Sequence, residues 1–496
     1  MRTNEGTRLE DWFRRGLAIA PDAAALVTQG RTWTFDDIDA LAKSWAAAII
    51  ARLTAHQGAL VVAVLGGRDV VSYAGALAVW YAGATLIPLN TAFPPDRTVS
   101  MISNAGADVV LADSANVLPL VERLEGTGTE VVLVDPSGPL DVAAERPTEP
   151  GGECAYVMFT SGSTGTPKGV PISHGNVSAF LTSVIGRYSM TPADRLVQSY
   201  DMTFDLGVAS LLMAWAQGCA IVPASPLALA NPSRLVERHG ITVWASVPSV
   251  IDLAQSAGTL QPGSLGGLRL SMFCGEPLTQ DAAQVWHAAA PNSRVENTYG
   301  PTEVTMFCTA QTWEGRDPSH ATVPIGEPFE GTRVRVVDAE GMDSLEGELW
   351  LAGAQVFGGY LDPSQDADAF VSKDADQKTW YRTGDVVRWK AGGLVHLGRL
   401  DDQLQVGGFR VEPGEVEACI RRELSVTTAV VVKRGTGLVA FVHPGSTDSD
   451  PLQRLAETLP SHLLPERIIV VADVVRNANG KISRSYYTKL AQEDPS

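Results

Sequence analysis

The sequence predicts an α/β protein with parallel sheets, extended by a small antiparallel β part and then by a compact α+β domain. Three observations carry this. Short β-branched runs alternate with alanine-rich helical segments through the first three hundred residues. After about residue 320, short strands ended by glycine-rich turns follow one another with little helix between. Beyond about residue 402, helices and strands alternate again over roughly ninety residues, enough for a domain of its own.

Taken in order, "ALVVAVLGG" (59–67), "ADVVLAD" (107–113) and "EVVLVD" (130–135) read as buried strands, since continuous apolar runs suit strands covered on both faces. "DVVSYAGALAVWYAG" (69–83) and "TQDAAQVWHAAA" (279–290) read as helices. "GTRVRVVDAEG", "EGELWLAG", "WYRTGDVVRW" and "GLVHLGRL" read as strands of a small barrel or sheet over about 320–400. "VEPGEVEACIRREL" reads as a helix, with Pro413 tolerated at its start. "TAVVVKRGTGLVAFVHPG" reads as a hairpin, "PLQRLAETLPSHL" as a helix and "RIIVVADVV" as a strand. The expected division is a large domain over 1–400 and a small one over 401–496, with "LDDQL" (400–404) as hinge.

Composition removes several classes of function. The chain has 496 residues, 45% of them hydrophobic and 19% charged, as in an ordinary folded protein of several domains. A net charge of −18 argues against nucleic-acid binding, which needs a basic face. The five cysteines, Cys154, Cys219, Cys274, Cys308 and Cys419, form no CxxC pair, so neither a disulfide framework nor a zinc site is expected. The amino terminus lacks the apolar core of a signal peptide, and glycine or proline interrupts every long apolar stretch. A cytoplasmic protein with no membrane span is the expectation.

"FTSGSTGTPKGV" (159–170) is either a linker or a loop shaped to hold an anion. Gly162, Gly165 and Gly169 permit left-handed backbone, so successive amides can converge on one point. Thr160, Ser161, Ser163, Thr164 and Thr166 add hydroxyls, and Lys168 adds a charge. A helix capped near Ser173 is expected to follow. It is not a Walker loop, because Lys168 lies between Pro167 and Gly169. Four further segments carry chemistry-bearing residues: "NTYGPTEVT" (297–305), "YRTGD" (381–385), "GRLDDQLQVGGFRVEPGEVE" (398–417) and "NANGKISR" (477–484). Each taken singly also reads as a surface acid, a turn, a helix start or a tail lysine.

In this order and spacing, the five segments resemble the adenylate-forming superfamily of acyl-CoA synthetases, luciferases and nonribosomal-peptide adenylation domains, over about residues 30–490. The details look most like the amino-acid-activating branch, including free-standing adenylation domains and D-alanyl carrier-protein ligases. The resemblance implies a large domain of two α/β sheet subdomains plus a small β-barrel, and a hinged small domain. It implies ATP and Mg²⁺, with residues 160–168 holding the β- and γ-phosphates. Glu303 binds the metal in this reading, Thr302 lies near phosphate, Tyr299 stacks on adenine and Asp385 accepts from the ribose hydroxyls. Arg399 contacts ribose or phosphate, Arg410 serves the thioester-forming state, and Lys481 bridges the substrate carboxylate and α-phosphate. Asp401 is the implied hinge.

"SYDMTFDLGVASLL" (199–212) places an acid, Asp205, in an apolar helical run. It is either a helix cap or, by the resemblance, the partner of a substrate ammonium group. The remaining pocket mapped through the resemblance is Phe204, Leu206, Ala209, Ala245, Met272, Cys274, Gly275, Thr298, Met306 and Phe307. No second charge appears among them, so an apolar side chain is the default, with a small amino acid, proline or a β-amino acid open. The acceptor is expected to be a separate, acidic carrier protein bearing phosphopantetheine, docking near Arg421 and Arg422. Competing readings are an acyl- or aryl-CoA ligase and a non-catalytic nucleotide-binding homologue.

Overall fold

The computed structural model describes residues 8–28, 30–52, 59–140, 152–160, 167–367, 369–372, 379–443, 450–475 and 482–493. The chain divides into two compact units. The larger comprises Met1–Thr91, Ile102–Met158 and Gly169–Leu400, and the smaller comprises Asp401–Ser496 with Ala92–Met101 and Phe159–Lys168.

After an opening helix, Leu9–Ile19, the larger unit forms a hairpin, β1 (Ala24–Val27) and β2 (Thr32–Thr34). A six-stranded sheet follows: β3 (Val61–Gly66), β4 (Thr85–Asn90), β5 (Val109–Ala112), β6 (Glu130–Leu133), β7 (Cys154–Thr160) and β8 (Lys168–Ser173), in the order β6-β5-β3-β4-β7-β8. Its described pairings from β6 to β7 are parallel. The helix α1 (Val70–Tyr81) is apolar on every side and buried throughout. Asp69 caps it by accepting from the Ser72 amide.

The strands β9 (Arg195–Gln198), β10 (Ala220–Pro223), β11 (Val243–Ser246), β12 (Leu270–Phe273), β13 (Arg294–Tyr299), β14 (Thr309–Thr312) and β15 (Glu327–Pro328) join the opening hairpin. Together they form a nine-stranded sheet, β15-β14-β13-β12-β11-β9-β10-β1-β2, parallel from β13 to β1. Alternation assigns its faces. Leu196, Val243, Ala245, Leu270 and Met272 belong to one core, whereas Val197, Trp244, Phe273 and Val295 belong to a second on the other side.

The third sheet is antiparallel, with β16 (Thr332–Val337), β17 (Glu346–Gly353), β18 (Phe370–Ser372), β19 (Thr379–Lys390) and β20 (Gly393–Arg399). The long β19 pairs β17 on one side, and on the other β18 with its first half and β20 with its second. The strands expected after residue 320 are all present. In the smaller unit, β21 (Leu404–Val406) and β22 (Phe409–Val411) form a hairpin, and β23 (Thr428–Arg434), β24 (Gly437–His443) and β25 (Arg467–Val470) form a sheet.

Among the helices, α2 (His174–Tyr188) is capped by Ser173, whose hydroxyl accepts from the Asn176 amide at 3.0 Å. It does not follow the glycine-rich segment directly, because β8 intervenes. Gly169 lies in β8 without a left-handed φ. The approach there is close: a Cβ would stand 2.5 Å from Leu361 Cδ1, so a larger residue would have to displace that side chain. The helices α3 (Asp205–Trp215) and α4 (Gln280–Ala289) belong to the two cores on opposite faces of the nine-stranded sheet, α3 to the first and α4 to the second. In the smaller unit α5 (Pro413–Leu424) has its proline at the first turn. The helix expected over "PLQRLAETLPSHL" is only α6 (Pro451–Ala456), since Pro460 leads into a separate 3₁₀ turn. Helix α7 (Arg484–Glu493) follows. No helix among the described residues is long and apolar enough to cross a membrane.

Candidate active site

In the nine-stranded sheet, β9 has β10 on one side and β11 on the other, so strand order reverses there. Ligands of open α/β sheets bind in the crevice beyond the carboxyl ends of the strands at such a point. Ala245 and Met272 are register partners near those ends, and Thr298 stands on the same face of β13. The Thr298 hydroxyl donates to the Phe273 carbonyl at 3.1 Å. Cys274 follows β12, and Gly275 takes a φ of 90°, which glycine accommodates. Burial pushes the Cys274 thiol up to about 12, so it acts as a small neutral filler. Leu206 and Ala209 come from α3. The Phe307 ring packs edge-on against Phe180, with centroids 4.8 Å apart, and against Phe329 at 5.9 Å.

Asp205 is not a helix cap. Phe204 occupies the cap position without a side-chain cap bond, and Asp205 is the first helical residue. Only 8% of it is exposed. Burial raises its carboxyl pKa to about 6; hydrogen bonds from the Thr302 hydroxyl and the Leu206 and Met306 amides oppose the rise, and the Glu303 charge adds to it. None of these partners is a cation.

Glu303 lies in a 3₁₀ turn, Thr302–Val304, after the Gly300-Pro301 corner, and is 1% exposed. Tyr360 Oη donates to its Oε1 at 2.8 Å. The chain then turns sharply, with Thr305 and Met306 in left-handed backbone at φ of 54° and 73°. Such conformations cost about 1–3 kcal/mol each and persist where surroundings enforce them. Buried Gln355 provides the enforcement. Its amide nitrogen lies 3.2–3.4 Å from the carbonyl oxygens of Val304, Thr305 and Phe307, and its backbone carbonyl accepts from the Thr305 hydroxyl at 2.6 Å. A Cβ at position 300 would meet Phe307 Cα at 2.5 Å, so glycine is required there.

Tyr299 ends β13, and its hydroxyl donates to Asp385 Oδ2 at 2.5 Å. Asp385 Oδ1 accepts from Arg399 Nη1 at 2.9 Å and lies 3.1 Å from His396 Nε2. The register places Asp385 on β19 opposite Arg399 on β20. Burial raises the Asp385 pKa, but the His396 hydrogen bond and the Arg399 charge overcome it, and the carboxyl is held below its ordinary value. A charged acceptor beside an aromatic ring is the result.

The remaining expected residues are placed as follows. Thr160 ends β7 and Lys168 begins β8, neighbouring strands of one sheet. Arg410 lies on β22, and Asp401 lies between β20 and β21. Ser161, Gly162, Ser163, Thr164, Gly165, Thr166 and Lys481 lie outside the described residues. Sequence reasoning missed Tyr200, Gln355, Tyr360 and His396. The signal for Gln355 and Tyr360 was their position in "AGAQVFGGY", polar atoms between a strand and a glycine turn.

The AMP-binding enzyme family model matches residues 13–361. The chain is 35% identical to a probable non-canonical nonribosomal peptide synthetase of Salinispora arenicola, over 95% of this chain and 6% of that protein. It is 33% identical to the phosphinothricin tripeptide synthetase PhsC of Streptomyces viridochromogenes, over 97% of this chain and 45% of that protein. It therefore spans less than half of either relative. The solved Vibrio cholerae adenylation domain AlmE, in complex with glycyl-adenosine-5′-phosphate, is 27% identical with a TM-score of 0.85, covering 99% of this chain and 98% of that one. The chain belongs to the AMP-binding enzymes, the adenylate-forming superfamily, in its amino-acid-activating branch.

Proposed function

We propose that the chain activates an amino acid with ATP, releasing pyrophosphate, and transfers the aminoacyl group to the phosphopantetheine thiol of a separate carrier protein. The observation that carries this is Asp205, a buried carboxylate at the crevice whose pKa is raised to about 6 and whose strongest partners include no cation. A substrate ammonium group supplies the missing charge. A fatty or aryl acid has no use for it, which disfavours the CoA-ligase reading. AlmE, with its glycyl-adenylate, and the peptide-synthetase relatives support the same reaction class. Among the residues mapped to the pocket through the resemblance, Asp205 alone carries a charge, which supports an uncharged side chain.

In the first half-reaction a substrate carboxylate oxygen bonds to the α-phosphorus of ATP as the bond to pyrophosphate breaks. In the second, a thiolate bonds to the acyl carbon and AMP leaves. No protein nucleophile is needed, so the residues act by positioning and charge. Asp205 orients the amine, Tyr299 and Asp385 hold adenosine, Arg399 supports Asp385, and Thr160–Lys168 hold phosphate. Lys481 neutralises charge at the α-phosphate, and Arg410 serves the second half about the hinge Asp401.

The donor set fits Mg²⁺. Among the described residues no group of three or more His, Cys, Asp or Glu could cage a metal, and Glu303 offers one carboxylate, as expected for an ion shared with substrate phosphates. When bound, Mg²⁺ supplies charge neutralisation to those phosphates. The reaction is assigned to the cytoplasm, whose reducing conditions keep carrier thiols free.

The test is ATP–pyrophosphate exchange with a panel of amino acids and their des-amino analogues. Exchange should require the amino group. Equal exchange with the des-amino acids would refute the role of Asp205, and none with any acid would favour a non-catalytic nucleotide-binding protein.

A further inference from the structure

Tyr200 was not among the residues expected in the pocket, yet its reach is unusual. Strand β9 ends at Gln198, and the hydroxyl of the next residue, Ser199, donates to the Ala245 carbonyl on β11 at 2.5 Å. This pins the segment beside β11. From there the Tyr200 hydroxyl donates to the Cys274 carbonyl, just beyond β12, at 3.5 Å. The sheet order is β12-β11-β9. The side chain therefore reaches from the end of one strand, past its neighbour, to the end of the strand beyond. Two strand spacings are roughly 10 Å, so the phenol ring has to lie across the carboxyl end of β11. That is the strand bearing Ala245, a pocket residue whose small side chain fills little space.

Two further facts place the ring at the site. It is partly exposed, while Ala245, Met272 and Cys274 around it are buried. Its hydroxyl also lies within electrostatic reach of Asp205 and Glu276 as well as Cys274. An amino acid whose ammonium group pairs with Asp205 thus has the phenol as its neighbour on the β11 side.

We propose that Tyr200 roofs the β11 end of the pocket and restricts the enzyme to amino acids with small side chains, from glycine to 2-aminobutyrate. The space left by Ala245 is taken up by a residue outside the pocket's own strands. This rests on the proposed amino-acid activation and adds the side-chain class.

The experiment is pyrophosphate exchange with glycine, alanine, 2-aminobutyrate, valine, leucine and phenylalanine, using the full chain and the Tyr200→Ala, Tyr200→Leu and Tyr200→Phe variants. A methylene in an apolar pocket is worth about 10–200-fold in discrimination. The unsubstituted enzyme should prefer the three smallest acids by at least about tenfold over leucine. Tyr200→Ala should raise kcat/KM for leucine by at least about tenfold and lower it for alanine, and Tyr200→Phe should keep the original ranking. A preference of the unsubstituted enzyme for leucine or phenylalanine overturns the inference whatever the variants do. So does an unchanged ranking in Tyr200→Ala, or in Tyr200→Leu if the alanine variant does not fold. Exchange with the wrong size ranking overturns only this inference; no exchange with any amino acid overturns the activation reading beneath it.

Discussion

Asp205 and Asp385 are the same residue in the same degree of burial, 8% and 5% exposed, and they are driven in opposite directions. Burial raises both. At Asp205 nothing outweighs it, and the pKa rises to about 6. At Asp385, His396 and Arg399 outweigh it, and the pKa falls below the ordinary value. The difference is one of cations. Asp385 already has its positive partner on the neighbouring strand, so it can offer a fixed negative charge to neutral hydroxyl donors. Asp205 lacks a comparable cation among its strongest partners and is suited to a ligand that brings one. Two buried acids thus mark the two halves of the proposed substrate, ribose and amine.

The largest test of this contrast is Asp385→Ala. It removes the acceptor shared by Tyr299, His396 and Arg399 and leaves a buried cation without its carboxylate, which should cost about 3–5 kcal/mol of stability. ATP binding should weaken with it. Thermal unfolding and an ATP titration read both, and a variant as stable as the parent would show that Asp385 is not the hub of that cluster.

Next in size is Asp205→Asn, for which stability and activity should move in opposite directions. A folded-state pKa of about 6 against 3.8 unfolded means the penalty for the charged form is absent below pH 3.8, grows as pH rises, and is complete above about 6. The asparagine variant should therefore gain up to roughly 3 kcal/mol at pH 7–8 and nothing near pH 3. Amino-acid-dependent exchange should drop by about 10²-fold or more, as for loss of one partner of a buried charge pair. In the parent enzyme, KM for the amino acid should climb as pH falls through about 6. A destabilised, fully active variant would mean that Asp205 is a structural acid.

The smallest effect is expected from His396→Phe, which keeps a ring beside Tyr299 but removes the Asp385 hydrogen bond. A bond to a charged group is worth about 1.5–3 kcal/mol, so the ATP KM should rise roughly 10- to 100-fold at most. The acid limb of its pH profile should move upward, because one of the forces holding the Asp385 pKa down is gone. An unmoved profile would leave the Arg399 charge and the Tyr299 hydrogen bond as the causes.

Much of this was legible before any coordinates. The alternating runs located β3, β5, β6, α1, α4 and the strands after residue 320, because hydrophobic periodicity is local and each element carries its own pattern. The one long element misjudged, the α6 region, failed at Pro460, where the apolar pattern runs on but the backbone cannot. The chemistry-bearing segments were equally legible, since glycine turns followed by acids stand out in any context. Gly169 was noticed for the wrong reason: the pressure on it comes from Leu361, far along the chain.

The sequence by itself determined the fold class, the family and which acids to look at, since these follow from residue type and local spacing. Only the tertiary structure decided what each acid can do. Glu303 and Tyr360 are 57 residues apart, and Tyr299 and Asp385 are 86 apart. Their meeting depends on strand order and register, which no local pattern encodes. A carboxylate's charge is set by the groups packed around it, so Asp205 and Asp385 read alike as letters and became different only once folding chose their neighbours.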